Sequence, residues 1–347
     1  MLAEIPMRLR VRVLLTLLTA AGLCLALTPV VRGFARRIGA MDVPDGARRI
    51  HDHPIPRLGG LAIYFSFCVA VLVFAPLSLP VQGILLGSVV MVMTGAIDDL
   101  VSLRPWVKLI LQCVAAAIPV AFGLRIQFLA NPTANGEIML GVLTVPVTVL
   151  WIVGVSNALN LIDGVDGLAA GVSGISCAST LAVSLFVPEA TDASLLLGAL
   201  GGACLGFLPF NRNPAKIFMG DSGALLLGYV LATASVLGLF KSYAIVTLAV
   251  PLLTLALPLA DTVFAIVRRL HRHQSPMQAD REHIHHRLMA MGLSQKQTTF
   301  LLWSVSALFG ILAVLLAAQG ASRLWLLLSV VLIVVAVCVW LRSHRSK

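Results

Sequence analysis

The sequence predicts an all-α membrane protein that crosses the bilayer many times. Of its 347 residues, 59% are hydrophobic and only 12% are charged, whereas a soluble domain has about 25% charged residues. Many apolar runs reach the roughly 20 residues that a helix needs to cross a bilayer. No stretch has the composition of a soluble module, and no internal repeat is visible. We therefore predict a single integral membrane domain over residues 1–347.

About eleven membrane-spanning helices are predicted from these apolar runs. They cover about residues 13–31, 58–75, 83–97, 107–123, 142–156, 168–187, 193–208, 222–239, 243–265, 299–317 and 324–341. The first run follows three arginines, as in a signal peptide, but it lacks a small-residue cleavage site and is predicted to stay as a span. The segment 124–141 contains Asn135-Gly136 and is predicted to form a small hairpin.

The basic residues predict the orientation of the bundle. With eleven spans, 19 of the 25 lysines and arginines lie on the side of the C-terminus, together with the loops at about 32–57, 98–106, 157–167, 209–221 and 266–298. The positive-inside rule then places the N-terminus outside and the C-terminus in the cytoplasm. The same rule accounts for the net charge of +10 without a nucleic-acid partner.

One polar stretch, Asn157 to Leu168, lies between two apolar runs. If it is helical, Asn160, Asp163 and Asp166 recur every three residues and share roughly one face. Unpaired carboxylates are costly in lipid, so these side chains are expected to face a watery cleft, a cation, or both. We predict that they form the floor of a site that handles phosphates at the membrane surface.

A second acidic pair, Asp98-Asp99, ends the third predicted span. Adjacent carboxylates repel each other, and one gains a proton unless a cation lies near. The structural alternative is a solvated helix end, but carboxylates at a helix C-terminus oppose the helix dipole, so a functional role is favoured. Lys108 follows at the start of the fourth span, where a lysine either extends to the interface or binds a phosphate.

A third polar segment joins spans seven and eight and carries Asn211 and Asp221. Asp221 lies at a helix N-terminus, where it either caps the helix or, with Asp163 and Asp166 on the same side, binds a divalent metal. Mg²⁺ is favoured because the candidate ligands are hard oxygens and substrate phosphates can complete the shell, with Mn²⁺ as the alternative. The six cysteines lie inside predicted spans without metal-ligand spacing, so zinc and disulfides are not expected.

Two further polar segments are basic loops. The first contains His51 and Arg57 and is either a membrane-surface loop or a phosphate-facing one; its Gly59-Gly60 lets the backbone approach a neighbour or ligand. The last large loop contains Arg281 and a histidine cluster, and it suits a polyanionic, sugar-bearing ligand unless it is a solvated connector. Asp261, near the end of span nine, is expected to pair with an arginine rather than to act in catalysis.

Together these segments resemble the polyprenyl-phosphate N-acetylhexosamine-1-phosphate transferases, the membrane superfamily that contains the WecA/TagO and MraY enzymes. The matching motifs, in order over about residues 48–287, are Arg57-Leu-Gly-Gly, Asp98-Asp99, Asn157-x2-Asn160-x2-Asp163-Gly-x-Asp166-Gly-Leu, Pro214-Ala-x-Ile-Phe-Met-Gly-Asp221-Ser-Gly and His283-Ile-His285-His286. The His-Ile-His-His form is similar to the WecA/TagO branch. The resemblance implies a bundle of ten or eleven helices, often dimeric, with a cytoplasmic active-site cleft.

The resemblance also implies an activity and a place in the cell. The expected enzyme transfers N-acetylglucosamine-1-phosphate from UDP-N-acetylglucosamine to undecaprenyl phosphate in the bacterial inner membrane and releases UMP. The product would start a lipid-linked cell-envelope glycan such as lipopolysaccharide or teichoic acid. The alternative is MraY-like transfer of phospho-N-acetylmuramoyl-pentapeptide or of another N-acetylhexosamine-1-phosphate.

Residue roles are carried over from the matching motifs. Asp221 and Asp99 are expected to bind Mg²⁺, and the expected catalytic residues are Asp98, Asp99, Asp163 and Asp166. The expected substrate contacts are Lys108, Asn157, Asn160, Asn211, His51, Arg57, Arg281, His283, His285 and His286. Direct attack by the lipid phosphate and a covalent phospho-enzyme are both open routes. A secondary transporter is the rival class, but it predicts two related halves with mid-bilayer ionisable groups, whereas these carboxylates crowd one rim.

Overall fold

The structure, a computed structural model, describes residues 7–43, 54–130, 137–185, 190–238, 245–272 and 283–319. These ranges form twelve helices and two small hairpins. The elements in chain order are α1 (Met7–Arg37), β1 (Met41–Asp42), β2 (Ile55–Pro56), α2 (Gly60–Phe74), α3 (Leu79–Val101), α4 (Pro105–Ala121), β3 (Phe128–Ala130), β4 (Glu137–Met139), α5 (Thr144–Ile162), α6 (Leu168–Ser184), α7 (Thr191–Asn211), α8 (Gly220–Gly238), α9 (Ile245–Thr254), α10 (Ala256–His271), α11 (Ile284–Ala290) and α12 (Gln295–Gln319).

The helices have the length and composition of membrane spans. Among the described residues, six helices are long and apolar enough to cross a membrane, namely α1, α3, α5, α7, α8 and α12. The shorter helices α2, α4 and α6 are also apolar. The chain is therefore a helical, multi-pass membrane protein, as predicted. The number of eleven spans and the orientation stay predictions, and the last predicted span, 324–341, lies outside the described residues.

The ninth predicted span differs from the structure. The segment 243–265 was expected to be one helix, but α9 ends at Thr254 and α10 begins at Ala256. Pro258 explains the break, because it has no N–H to donate to the carbonyl group four residues earlier. That carbonyl, on Thr254, instead accepts a hydrogen bond of 2.6 Å from the Ser176 hydroxyl of α6.

Helix α8 forms the centre of the bundle. Every residue from Ser222 to Gly238 is buried, because α2, α3, α5 and α7 all pack against this helix. Helix α1 packs on α7 and α12 packs on α6. Both outer helices expose large apolar side chains such as Leu14 and Phe300, which is typical of a lipid-facing surface.

Glycines bring three helices into backbone contact at one end of α8. A Cβ atom on Gly60 would lie 2.1 Å from the Gly223 nitrogen, and one on Gly95 would lie 2.4 Å from the Ser222 Cα. Small residues allow such close helix packing inside a membrane. As a result, the C-terminal turn of α3 lies directly beside the N-terminal turn of α8.

Two short hairpins flank the bundle. β3 pairs antiparallel with β4, with Phe128 opposite Met139, which confirms the predicted hairpin within 124–141. β1 pairs antiparallel with β2, with Met41 opposite Pro56, and this pairing was not predicted. It places the segment that precedes α2 next to the end of α1.

Candidate active site

The polar motifs converge at one end of the bundle. Helices α4 and α8 both pack on α3, and α5 packs on α8. The last turn of α3 (Asp98, Asp99), the first turn of α4 (Lys108), the last turn of α5 (Asn160) and the first turn of α8 (Asp221) therefore meet. This convergence agrees with the prediction that separate motifs share one site.

The Lys108 ammonium group is the centre of this cluster. Its Nζ lies 2.8 Å from Asp98 Oδ2 and donates to Asn160 Oδ1 at 3.1 Å. It also contacts Asp221 Oδ2, and Asn160 Nδ2 donates to Asp221 Oδ1 at 3.0 Å. One partly buried cation thus neutralises two carboxylates from different helices, and an amide fixes one of them.

The two carboxylates at the end of α3 have different partners. Asp98 Oδ1 accepts a hydrogen bond of 2.6 Å from the Leu103 N–H, and Oδ2 faces Lys108. Asp99 accepts the backbone N–H groups of Asp221 at 3.0 Å and of Ser222 at 3.2 Å. These are free N–H groups of the first turn of α8, so Asp99 caps that helix from outside. Its predicted role as a metal ligand stays a prediction.

A pair of side-chain amides, Asn157 and Gln112, lies next to the cluster and connects two of its helices. Asn157 Nδ2 donates to Gln112 Oε1 at 2.7 Å, and Gln112 Nε2 donates back to Asn157 Oδ1 at 3.3 Å. Gln112 is fully buried. The pair joins α4 to α5 one helical turn away from the contact between Lys108 and Asn160, so Asn157 holds the two helices in register.

The α5–α6 connection is a turn and not a continuous helix. Helix α5 ends at Ile162, so the expectation that Asn160, Asp163 and Asp166 share a helical face is wrong. Asp166 Oδ2 accepts the Asn213 side-chain amide and the Ala215 N–H, both at 2.9 Å. Asp166 therefore anchors the α7–α8 loop.

Asp163 has a different environment. Within the described ranges, its carboxylate forms no hydrogen bond. Its pKa is raised to about 8, first by burial and then by the negative charges of Asp221 and Asp99, while the positive charge of Arg57 acts in the opposite direction. A carboxylate with this environment is poised to bind a cation or to hold a proton.

The α7–α8 loop is fixed from both sides. Asn211 is buried, and its Nδ2 donates to the Ile217 carbonyl at 3.1 Å. The Phe218 N–H donates to the Pro56 carbonyl at 2.8 Å, and the Gly59 N–H donates to the Phe218 carbonyl at 2.9 Å. These bonds confirm that the glycine pair before α2 allows a close backbone approach.

The basic residue of that same segment is also held in place. Arg57 forms an ion pair of 3.2 Å with Asp42, next to the β1–β2 pairing. Its side chain remains about one-third exposed. His51, which was predicted to bind substrate from this loop, lies outside the described residues.

The histidine segment, which comprises His283 to His286, packs against the α5–α6 turn. His285 is buried, and neither of its ring nitrogens has a hydrogen-bond partner among the described residues. A Cβ atom on Gly164 would lie 2.3 Å from His285 Nε2, so any other residue there would displace the His285 ring. Burial, followed by the charges of His286 and His283, lowers the pKa of His285 to about 4. Arg281, predicted to act with this segment, lies outside the described residues.

Asp261 has a role that the sequence did not predict. Its Oδ2 lies 2.8 Å from His283 Nδ1, and its Oδ1 accepts the Ile284 N–H at 2.9 Å. The expected arginine partner is replaced here by a histidine and a backbone group. The signal available in the sequence was an acidic residue inside an apolar run, which is costly in a membrane unless it has a specific partner.

The donor set can be compared with the needs of a metal ion. Among the residues that the structure describes, no three histidine, cysteine or acidic side chains are arranged to hold a metal. The nearby carboxylates Asp98, Asp163 and Asp221 are hard oxygen donors. Mg²⁺ binds through one or two carboxylates while water and substrate phosphates fill its other positions, so this set fits Mg²⁺ better than a softer metal.

These features define a polytopic helical membrane protein with a cluster of charged residues at one end of its bundle. Residues 81–239 match the model of the family "Glycosyl transferase family 4". The chain belongs to this family and to its WecA/TagO-like branch, as the motifs predict.

Three relatives illustrate the match. The chain is 38% identical to the probable undecaprenyl-phosphate N-acetylglucosaminyl 1-phosphate transferase of Bacillus subtilis, over 96% of this chain and 91% of the relative. It is 33% identical to the decaprenyl-phosphate N-acetylglucosaminephosphotransferase of Mycolicibacterium smegmatis, over 96% and 89%. It is 28% identical to the undecaprenyl-phosphate alpha-N-acetylglucosaminyl 1-phosphate transferase of Escherichia coli, over 86% and 82%. The similarity thus extends over nearly the whole chain.

Proposed function

We propose that the protein transfers N-acetylglucosamine-1-phosphate from UDP-N-acetylglucosamine to undecaprenyl phosphate and releases UMP. The observation that carries the proposal is the Lys108 ammonium group held between Asp98 and Asp221. The names of the relatives support the sugar phosphate and the polyprenyl phosphate acceptor. The motif His283-Ile-His285-His286 supports this donor over a muramoyl-peptide donor.

The charges of the site fit the electrostatic demand of this reaction. A nucleotide sugar and a lipid phosphate are both anions, so they repel each other until positive charge is placed between them. Lys108 provides such a charge at the rim of an apolar bundle. Arg57 provides a second one from the segment before α2, where it is partly exposed.

Mg²⁺ is the cofactor that we propose for this site. Asp221 is the first proposed ligand, and Asp163 is the second because its carboxylate has no hydrogen bond within the described residues. When bound, the metal would supply positive charge to the phosphates. Asp99 contributes indirectly, since its two oxygens fix the backbone on which Asp221 is carried.

In the proposed reaction, an oxygen of the lipid phosphate attacks the phosphorus that carries the sugar. A new phosphorus–oxygen bond forms, the bond from this phosphorus to the bridging oxygen breaks, and UMP leaves with that oxygen. A phosphate monoester has a second pKa of about 6, so the acceptor needs little help from a base. Asp98 orients the acceptor through Lys108, and the histidine segment contacts the sugar. We favour this single displacement over a phospho-enzyme.

We place the enzyme in the bacterial inner membrane with its active site toward the cytoplasm. The basic loops support this orientation, and a nucleotide sugar is a cytoplasmic substrate in this scheme. A homodimer is a further proposal, because the resemblance implies one. The product would start a cell-envelope glycan.

The test uses the purified full-length protein in detergent with undecaprenyl phosphate, Mg²⁺ and a panel of UDP-sugars. UMP release and the lipid product are followed by mass spectrometry, with parallel samples that contain EDTA or the Asp221→Ala variant. We expect product with UDP-N-acetylglucosamine and its loss in both parallel samples. Product with another donor would change the substrate, and product in EDTA would remove Mg²⁺ from the proposal. Folded protein without product from any donor would contradict the function.

A further inference from the structure

Asp261 is an acidic residue of α10 that lies outside the carboxylate cluster. Only 8% of it is exposed, although α10 is otherwise apolar over most of its length. An unpaired carboxylate at such a place is costly, so its presence calls for a specific use. The use that the geometry shows is a double contact with the start of α11.

Both oxygens of Asp261 hold the histidine segment, His283 to His286. Oδ2 pairs with the ring of His283, the residue directly before α11, and Oδ1 accepts the N–H of Ile284, its first residue. Helix α11 has only seven residues, too few for a stable isolated helix. Its orientation must therefore come from contacts with other parts of the fold, and Asp261 provides two of them.

The histidine segment transmits this anchoring to the carboxylate loop. The rings of His283 and His285 are nearly parallel, with an interplanar angle of 6° and centroids 5.9 Å apart. The His285 ring in turn lies against Gly164, between Asp163 and Asp166. A continuous series of packed groups thus joins α10 to the turn that carries Asp163, the carboxylate proposed as the second Mg²⁺ ligand.

We propose that Asp261 is a positioning residue that fixes the histidine segment against the α5–α6 turn and thereby shapes the pocket for the sugar phosphate of the donor. This role rests on the proposed function, because a donor pocket is meaningful only for the transferase. Asp261 itself touches no reacting atom; it acts through His283 and His285.

The unpartnered nitrogens of His285 point to the kind of ligand that this pocket takes. A neutral imidazole offers one N–H donor and one acceptor nitrogen. Both are buried and lack a partner among the described residues, and buried polar groups are normally satisfied. An N-acetylhexosamine phosphate offers hydroxyl, amide and phosphate groups that suit both roles, whereas the isoprenoid chain of the acceptor offers none.

The first part of the test measures the position of the histidine segment without any activity. Histidines of the full-length protein are modified with diethyl pyrocarbonate and mapped by mass spectrometry. His283 and His285 are buried and should be protected in the wild type, while His271 is exposed and serves as the internal positive control. Asp261→Ala should lose this protection, and Asp261→Asn, which keeps an acceptor for the Ile284 N–H, should lose less of it.

The matched control is Asp192→Ala. Asp192 lies in the first turn of α7, at the end of this helix away from the α7–α8 loop, and it accepts a hydrogen bond of 2.7 Å from the Ser78 hydroxyl. Its removal therefore breaks a similar contact far from the site. The control should keep both histidines protected. Unchanged protection of His283 and His285 in folded Asp261→Ala protein would overturn the proposal.

The second part measures kinetics. Asp261→Ala should lower kcat/KM for the nucleotide sugar about 10- to 100-fold, since small misplacements of positioning groups have effects of this size. The KM for the lipid phosphate should stay within about twofold. The kcat/KM of the Asp261→Ala/His283→Ala double variant should be no lower than that of the less active single variant, because the two residues act as one unit.

The outcomes separate this inference from the proposed function. Additive losses in the double variant, or equal losses toward donor and acceptor, would reduce Asp261 to a general structural residue and overturn the proposal. A wild-type protein that forms no product would contradict the transferase instead, while the protection data would still show whether Asp261 fixes the segment.

Discussion

The two acidic pairs of the candidate site, Asp98-Asp99 and Asp163/Asp166, look equivalent in the sequence but differ internally in the structure. In the first pair, Asp99 accepts two backbone N–H groups of α8, while Asp98 faces Lys108. One member therefore supports the architecture, and the other faces the charged cluster.

The second pair shows the same division. Asp166 accepts the Asn213 side chain and the Ala215 N–H and so anchors the α7–α8 loop. Asp163 has no hydrogen bond within the described residues and lies among negative charges. The comparison teaches that an acidic motif can contain one residue for folding and one for chemistry, and that the partner of each carboxylate reveals which is which.

The largest effect is expected from Lys108→Met, which removes the cation that both functional carboxylates share. We expect kcat to fall about 10²- to 10³-fold, in line with the loss of a preorganised charge at a reaction centre. Turnover is measured by UMP release. The control is Lys296→Met, whose side chain is exposed at the start of α12 and whose removal should leave kcat within about twofold. Near-normal turnover of Lys108→Met would contradict the central place of this ammonium group.

The next effect separates the members of the first pair. Asp98→Asn should lower kcat by about 10²-fold with an almost unchanged Tm, because the negative charge beside Lys108 is lost. Asp99→Ala should instead lower stability by about 1–2 kcal/mol, the usual cost of a lost helix cap. Turnover and thermal unfolding are measured on the same preparations. If both variants kept wild-type turnover, neither carboxylate would have the role assigned to it.

A smaller effect separates the members of the second pair. Asp166→Ala leaves the Ala215 N–H without its acceptor and removes one of the two acceptors of the Asn213 amide, so stability should fall by about 1–3 kcal/mol. Asp163→Ala removes no hydrogen bond within the described residues, so its Tm should not fall below the wild-type value while turnover falls about 10-fold or more. The reverse pattern, an unstable Asp163→Ala and an inactive but stable Asp166→Ala, would break the comparison.

The smallest effect concerns pH. The pKa of Asp163 is raised from its ordinary value of 3.8 to about 8, so the folded protein holds a proton that the unfolded chain releases above about pH 4. This contribution to stability is complete below about pH 4, decreases as pH rises, and is lost above about pH 8. In EDTA, Asp163→Asn should therefore gain Tm relative to the wild type between pH 5 and pH 9. A Tm difference that is constant over this range would contradict the raised pKa.

Much of the fold was predictable from composition and periodicity. The apolar runs predicted most of the described helices, and the segment containing Asn135-Gly136 predicted the second hairpin. The break between α9 and α10 was missed because the run stays apolar through it, although Pro258 was the available signal. Within the site, the convergence of the motifs was expected because the predicted topology places them on one side of the membrane.

The sequence could not assign partners to individual carboxylates. Whether Asp99 or Asp98 accepts the α8 backbone depends on the close approach of α3 and α8, which Gly95 permits. The contact between Asp261 and His283 depends on where α11 packs, and no local pattern encodes that position. Tertiary packing therefore decides which of several equivalent acidic residues supports the fold and which is left for the role in the reaction that we propose.

The most direct test of the proposed reaction follows the fate of each phosphorus atom of the donor. UDP-N-acetylglucosamine is labelled either at the phosphorus next to the sugar or at the phosphorus next to uridine, and the wild-type protein is given undecaprenyl phosphate. Transfer of a sugar phosphate predicts that the first label appears in the lipid product and the second in UMP. If the first label stayed in a released UDP while the sugar reached the lipid, the protein would transfer the sugar alone, and the proposed reaction would be wrong.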